Sequence, residues 1–200
     1  MEETKIPPLP DEAGELEKKG VDELINALHN NTDPKVRRYA AYLLGKAKNP
    51  RAIRPLAEAL ADFDKSVREQ VMLALVETGK AATDSLEAEM NDPKWQARYR
   101  AAEALGKIAD EKAIKPLVMG LKDNRDHVRY MAAKGLKTIG DSEAIDPLIC
   151  LLKDNNRFVR LMTVRALTAL GGDKVNAALK EAGVSETDDE IRNAIAEALK

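Results

Sequence analysis

A chain of 200 residues with 44% apolar and 33% charged side chains can bury a core, which excludes wholesale disorder. A formal net charge of −2 argues against attachment to nucleic acid by bulk electrostatics, and a single cysteine, Cys150, excludes an intrachain disulfide. No apolar run approaches the length of a membrane span, and the first twenty residues lack the apolar stretch of a secretory signal. A reducing, cytoplasmic setting is therefore expected.

Residues 1–14 are rich in proline and acid and are expected to form a flexible or extended tail, leaving residues 15–200 as one continuous array. Leu16 to Asn30 reads as a first helix. From there a dipeptide returns on a nearly fixed beat: Val36-Arg37, Val67-Arg68, Ala97-Arg98, Val128-Arg129, Val159-Arg160 and Ile191-Arg192. The arginine numbers differ by 31, 30, 31, 31 and 32. A period of this length marks a stack of small supersecondary units. The fourth unit shows two helices. The first carries Ile114, Leu117, Val118 and Leu121 on one stripe, with Asp110 as N-cap and Pro116 near its start. The second carries Val128, Ala132, Leu136 and Ile139, with Gly140 as a left-handed stop. Neither helix buries its stripe alone, so stacking is obligatory.

Two units depart from this template. The third replaces the Ile and Pro of its first helix with Lys80-Ala-Ala-Thr-Asp-Ser-Leu-Glu-Ala-Glu-Met90. The last has Gly171-Gly172, a helix from Asp173 to Ala182 followed by Gly183, and an acidic loop over 185–190. Irregular pitch is expected at both. The last helix, with Asn193, Glu197 and Lys200, reads as a polar end cap.

The run Asp-x-x-Val-Arg-x-x-Ala-Ala-x-x-Leu-Gly, followed by Ala-Ile-x-Pro-Leu-x-x-x-Leu-x-Asp, resembles the short HEAT-like repeats of the phycobilisome-lyase type over about residues 21–200. The resemblance implies an all-α, right-handed α-α superhelix of about six helix pairs, with the second helices lining a concave surface. It says little about function, because such repeats serve scaffolds, lyases, hydroxylases and designed binders alike.

An acid or amide stands six residues before each motif arginine: Asn31, Asp62, Asp92, Asp123, Asp154 and Glu186. Structural pairing at the turns explains a repeat-locked arginine with a repeat-locked partner. Arg37, Arg68, Arg98, Arg129, Arg160 and Arg192 are therefore read as structural rather than as a phosphate-binding spine.

Function is sought where the template leaves residues free. Counted from each arginine, positions −3, −2, +1, +2, +5 and +9 point away from the buried stripe. There stand Arg38, Tyr39 and Tyr42; then Trp95, Tyr99 and Arg100; then His127, Tyr130 and Lys134; then Phe158, Met162 and Arg165. Every aromatic residue except Phe63 falls in this set, and aromatic, Met and Arg side chains are enriched at interfaces. A ligand patch centred on Trp95, Tyr99, Tyr130 and Phe158 is expected, on a mildly basic face that favours an acidic partner.

Catalytic chemistry finds no foothold. His29 and His127 are the only histidines and neither precedes a glutamate, which excludes the His-Glu pairs of a di-iron hydroxylase built on similar repeats. The ligands of a zinc site, a Ser-His-Asp arrangement and a phosphate loop are also missing. Cys150 reads as core. The expectation is a non-enzyme without cofactor or metal, binding another protein or peptide and no membrane. Two alternatives are a nucleic-acid binder, with Trp95 and Tyr99 stacking on a base and Arg100, Arg157 and Arg165 on phosphates, and a bilin-lyase-like subunit.

Overall fold

The computed structural model describes residues 10, 11 and 13–200. Most of the expected tail, residues 1–9 and 12, lies outside them. Ala13–Leu16 (α1) is a short helix, so Ala13 and Gly14 belong to a folded segment. The first long helix also differs from expectation. It begins at Val21 and runs to Asn30 (α2), because Gly20 breaks the chain direction and Glu23 turns back to accept from its N–H at 2.9 Å.

Beyond Gly20 the described chain is six helix hairpins and contains no strand. The first helices of the pairs are α2, Pro50–Glu58 (α4), Thr83–Glu89 (α6), Ile114–Gly120 (α8), Ile145–Leu151 (α10) and Asp173–Ser185 (α12). The second helices are Pro34–Ala47 (α3), Lys65–Thr78 (α5), Trp95–Ile108 (α7), Asp126–Ile139 (α9), Arg157–Leu170 (α11) and Asp189–Ala198 (α13). The second helices α3, α5, α7, α9 and α11 each have 14 residues, the regularity that the sequence beat demands. One-turn 3₁₀ segments lead into α6, α8 and α10.

The chain divides into two compact units, Met1–Ala104 and Leu105–Lys200. In the first, α3 packs against α2 and α5, and α4 packs against α5 and α6. Val67, Val71 and Leu75 of α5 are fully buried, as the stripe requires. In the second, α9 packs against α8 and α11, and α11 against α10 and α13. Val128, Ala132 and Leu136 are fully buried there.

The caps follow the sequence. Asp110 accepts from the Lys112 N–H at 3.3 Å, and Gly140 ends α9 at φ 76°. Gly183 was expected to stop α12, but the helix runs through it to Ser185. Its role is spatial: a Cβ there would lie 3.3 Å from Ile195 Cγ2, so the missing side chain makes room for α13.

Candidate functional site

The motif arginines settle first, because they define what is unavailable to a ligand. Arg37 grips Asp62 through Nε and Nη2 at 2.8 and 2.9 Å, while its Nη1 donates to the carbonyls of Asn31 and Thr32 at 3.0 and 3.1 Å. Arg129 does the same to Asp154 at 2.6 and 2.9 Å and to the Asp123 carbonyl at 2.9 Å. Arg160 holds Glu186 at 2.8 and 3.0 Å and the Asp154 carbonyl at 2.9 Å. Each of these arginines thus uses its own loop's carbonyls and the next loop's carboxylate. The carboxylate then turns its own loop, as where Asp62 Oδ1 accepts from the Asp64 N–H at 2.8 Å. The result is a chain of bidentate staples from loop to loop, with guanidinium and carboxylate both largely desolvated.

The link at Arg68 is broken. Its Nη1 reaches the carbonyls of Asp62 and Phe63 at 2.6 and 2.9 Å, yet among the described residues no carboxylate holds it. The repeat that should supply the partner is the one with a step of 30 residues. In the last pair Arg192 turns to Asp189 of its own helix.

The proposed binding face needs correction at three of its residues. Tyr39, Tyr42 and Met162 were expected to face outward but are only 2%, 6% and 6% exposed. Tyr39 and Met162 share position +2 with Gln70 and Met131, which are also buried. At +2 the reason is that a second helix is flanked by other second helices as well as by its own partner, as α3 is by α5 and α11 by α9 and α13. The buried arc is therefore wider than one stripe. Leu161, at +1, is buried for the same reason.

The remaining residues keep some exposure. In the first unit Arg38, Trp95, Tyr99 and Arg100 are half-buried, and in the second Tyr130 is half-buried while His127, Lys134, Phe158 and Arg165 are exposed. In each unit an aromatic ring is braced by an arginine. The Arg100 guanidinium lies 5.2 Å from the Tyr99 ring centre and donates to Glu103 at 2.8 Å. The Arg157 guanidinium lies 4.9 Å from the Phe158 ring centre and is held by Asp188 at 2.6 Å and Glu190 at 2.9 Å. Phe158 remains 58% exposed beneath this clamp. His127 hydrogen-bonds Asp126 at 2.8 Å through Nδ1, and Asp126 also accepts from Asn156, tying α9 to the start of α11.

These pairs neutralise much of the basic character read from sequence. Arg100 and Arg157 are committed to carboxylates, and Arg165 lies 3.9 Å from Glu190. The Arg157 guanidinium, opposed by burial, holds the Asp188 carboxyl well below the usual range, at about 2. Asp188 also caps α13 by accepting from the N–H groups of Glu190 and Ile191. A depressed carboxyl stabilises the fold above its unfolded value and loses that contribution as pH falls through the folded one. Urea midpoints are therefore expected to drop from about pH 4 to about pH 2, and Asp188→Asn should flatten part of that drop.

Cys150 is exposed rather than buried. It lies one period beyond Met119, itself 65% exposed, whereas the stripe runs through Leu148 and Leu151. Cys150 lines a cleft of about 740 Å³ with Ile149, Ala178, Glu181 and the Arg160–Glu186 pair. Among the described residues, no cluster of three or more His, Cys, Asp or Glu side chains is placed to hold a metal ion, and no helix is long and apolar enough to cross a membrane.

Reasoning from sequence missed two kinds of residue. Leu16 is fully buried, and Glu17, itself exposed, accepts from the Tyr39 hydroxyl of α3, although both precede the first repeat. Gly45, Gly106 and Gly135 sit where second helices cross. A Cβ on Gly45 would lie 2.7 Å from Ala74 Cβ, and one on Gly106 would lie 2.7 Å from Gly135 Cα. The signal was present as a small residue six or eight places after the arginine.

Repeated helix pairs joined by arginine staples define an α-solenoid. The chain belongs to the HEAT-repeat family: the family model matches residues 21–89, 83–152 and 121–200. No curated protein matches it. Among solved structures it is similar to the complex of CpcE and CpcF of phycocyanin lyase from Nostoc, at 23% identity over 76% of this chain and 100% of that one, with a TM-score of 0.68. A designed armadillo repeat protein in complex with the peptide (KR)4 matches at 21% identity over 91% of this chain and 100% of that one, with a TM-score of 0.57. Human deoxyhypusine hydroxylase matches at 22% identity over 90% of this chain and 72% of that one, with a TM-score of 0.52. These likenesses speak for the fold.

Proposed function

We propose that this HEAT-repeat protein is a non-catalytic scaffold that binds another protein or a peptide through the outward flank of its second helices. One observation carries the reading: Tyr99 and Phe158 are each backed by an arginine that a carboxylate holds in place. Aromatic side chains fixed before binding lose little conformational freedom on contact, which is what interface hot spots require. Designed armadillo repeat proteins that recognise peptides show that a stack of helices of this class supports such binding. The fit is to a partner with an apolar or aromatic anchor, with exposed Lys134 adding a preference for acidic character.

The nucleic-acid reading loses ground on the same geometry. The arginines assigned to phosphates, Arg100, Arg157 and Arg165, each face a carboxylate instead. The test is affinity capture from an extract of the source organism. Trp95→Ala and Phe158→Ala should weaken a captured partner at least about tenfold, the scale of a hot-spot truncation. Arg54→Ala, on the exposed side of α4, should leave it unchanged. Equal losses for all three variants would contradict the proposal.

A further inference from the structure

Position +5 of the repeat is exposed or half-exposed wherever a second helix follows the pattern. Leu73 is 45% exposed, Lys134 and Arg165 are exposed, and Glu103 is half-exposed. Tyr42 occupies the same position on α3 and is only 6% exposed. Its ring stacks on Tyr39, with centres 5.7 Å apart and planes 20° apart, and the Lys46 ammonium lies 5.4 Å from its centre. What distinguishes α3 is the segment that precedes the repeats. Residues 13–19 fold back onto it: α1 contacts α3 and Leu16 is fully buried, while Pro10 is buried as well.

Among the described residues, one side-chain hydrogen bond ties the segment to α3. The Tyr39 hydroxyl donates to Glu17 Oε1 at 2.6 Å, and this bond, with burial, pushes the phenol up to about 12. The repeat's own staple turns elsewhere, with Arg37 committed to Asp62 and to the carbonyls of its own loop. Between Glu17 and α2 the chain runs through exposed Lys18, Lys19 and Gly20. Two buried apolar residues, Pro10 and Leu16, one carboxylate on a tyrosine and an exposed link to α2 describe a docked strap rather than a further helix of the stack.

We propose that residues 13–19 bind in cis to the outward flank of α3 and occupy a partner-binding site on the first repeat. When the strap detaches, it uncovers the Tyr39 hydroxyl and the Tyr42 ring stacked beside it, flanked by Arg38 and Lys46. That site takes an apolar side chain followed by a carboxylate, the chemistry of Leu16-Glu17. The cis occupant enjoys an effective concentration on the order of millimolar, so it excludes weak competitors and yields to strong ones. The inference rests on the reading of this flank as a binding face. Its test, however, uses the strap's own sequence as the probe, so its failure leaves the Trp95 and Phe158 capture result untouched.

The experiment uses the full chain and a fluorescent synthetic peptide spanning residues 10–19. Wild type should not bind the peptide, its site being filled. The full-length Leu16→Asp variant should bind it, and adding Tyr39→Phe to that variant should weaken binding several-fold. Trypsin should cut at Lys18 and Lys19 faster in Leu16→Asp, while hydrogen exchange in α2 and α3 stays as in wild type. An unchanged cutting rate would overturn the proposal. So would a Leu16→Asp chain whose α2 and α3 lose protection, since the segment would then be part of the core. A protected Leu16→Asp chain that ignores the peptide would overturn it as well.

Discussion

Arg129→Ala should lower the free energy of unfolding by about 3 kcal/mol, the low end for breaking a buried ion pair. The Arg129 side chain is 17% exposed and that of Asp154 only 6%, so removing the guanidinium strands a carboxylate with little access to water. It also frees the Asp123 carbonyl, which Arg129 Nη1 satisfies. The same substitution at Arg68 should cost no more than about 1 kcal/mol, because only loop carbonyls depend on it. Urea denaturation of the two variants side by side checks the difference. Equal losses would mean that the arginine matters for its own loop and not for the next one.

Gly106→Ala carries the second large effect. The added Cβ would lie 2.7 Å from Gly135 Cα, and a backbone cannot rotate out of the way as a side chain can. The helices must part, loosening the layer that includes the fully buried Leu105 and Leu136. Overpacking of this kind costs about 1–3 kcal/mol and more where backbone meets backbone, against a gain of about 1 kcal/mol from replacing a helical glycine with alanine. A net loss of about 2 kcal/mol is expected. Gly183→Ala is the contrasting case. Its Cβ would meet only Ile195 Cγ2 at 3.3 Å, a side chain that can shift, so its thermal midpoint should stay close to wild type.

The architecture was legible because it is written six times. The beat of Val-Arg and its paired acids located every second helix, but the step of 30 residues was read as an irregularity of pitch, and the staple that fails at Arg68 emerged only from the structure. Which carboxylate each arginine holds was less legible. The spacing within one unit points to the acid six places before, yet the bond goes to the acid 25 or 26 places after, a choice that only stacking makes. The face was half legible. Phe158, His127 and Lys134 are exposed as expected, but periodicity along one helix says nothing of the flanking helices that bury Met162. Nor does it reveal a strap from outside the repeats, and Leu16 and Glu17 belong to no pattern that recurs.

The staple between consecutive loops is tested most directly by a double-mutant cycle on Arg129 and Asp154. Stability is measured for Arg129→Ala, Asp154→Ala and the pair together. Direct bonding predicts that the double variant loses at least about 1 kcal/mol less than the sum of the single losses. Losses that simply add would show that the two residues do not stabilise each other, and the stapled-solenoid account would be wrong.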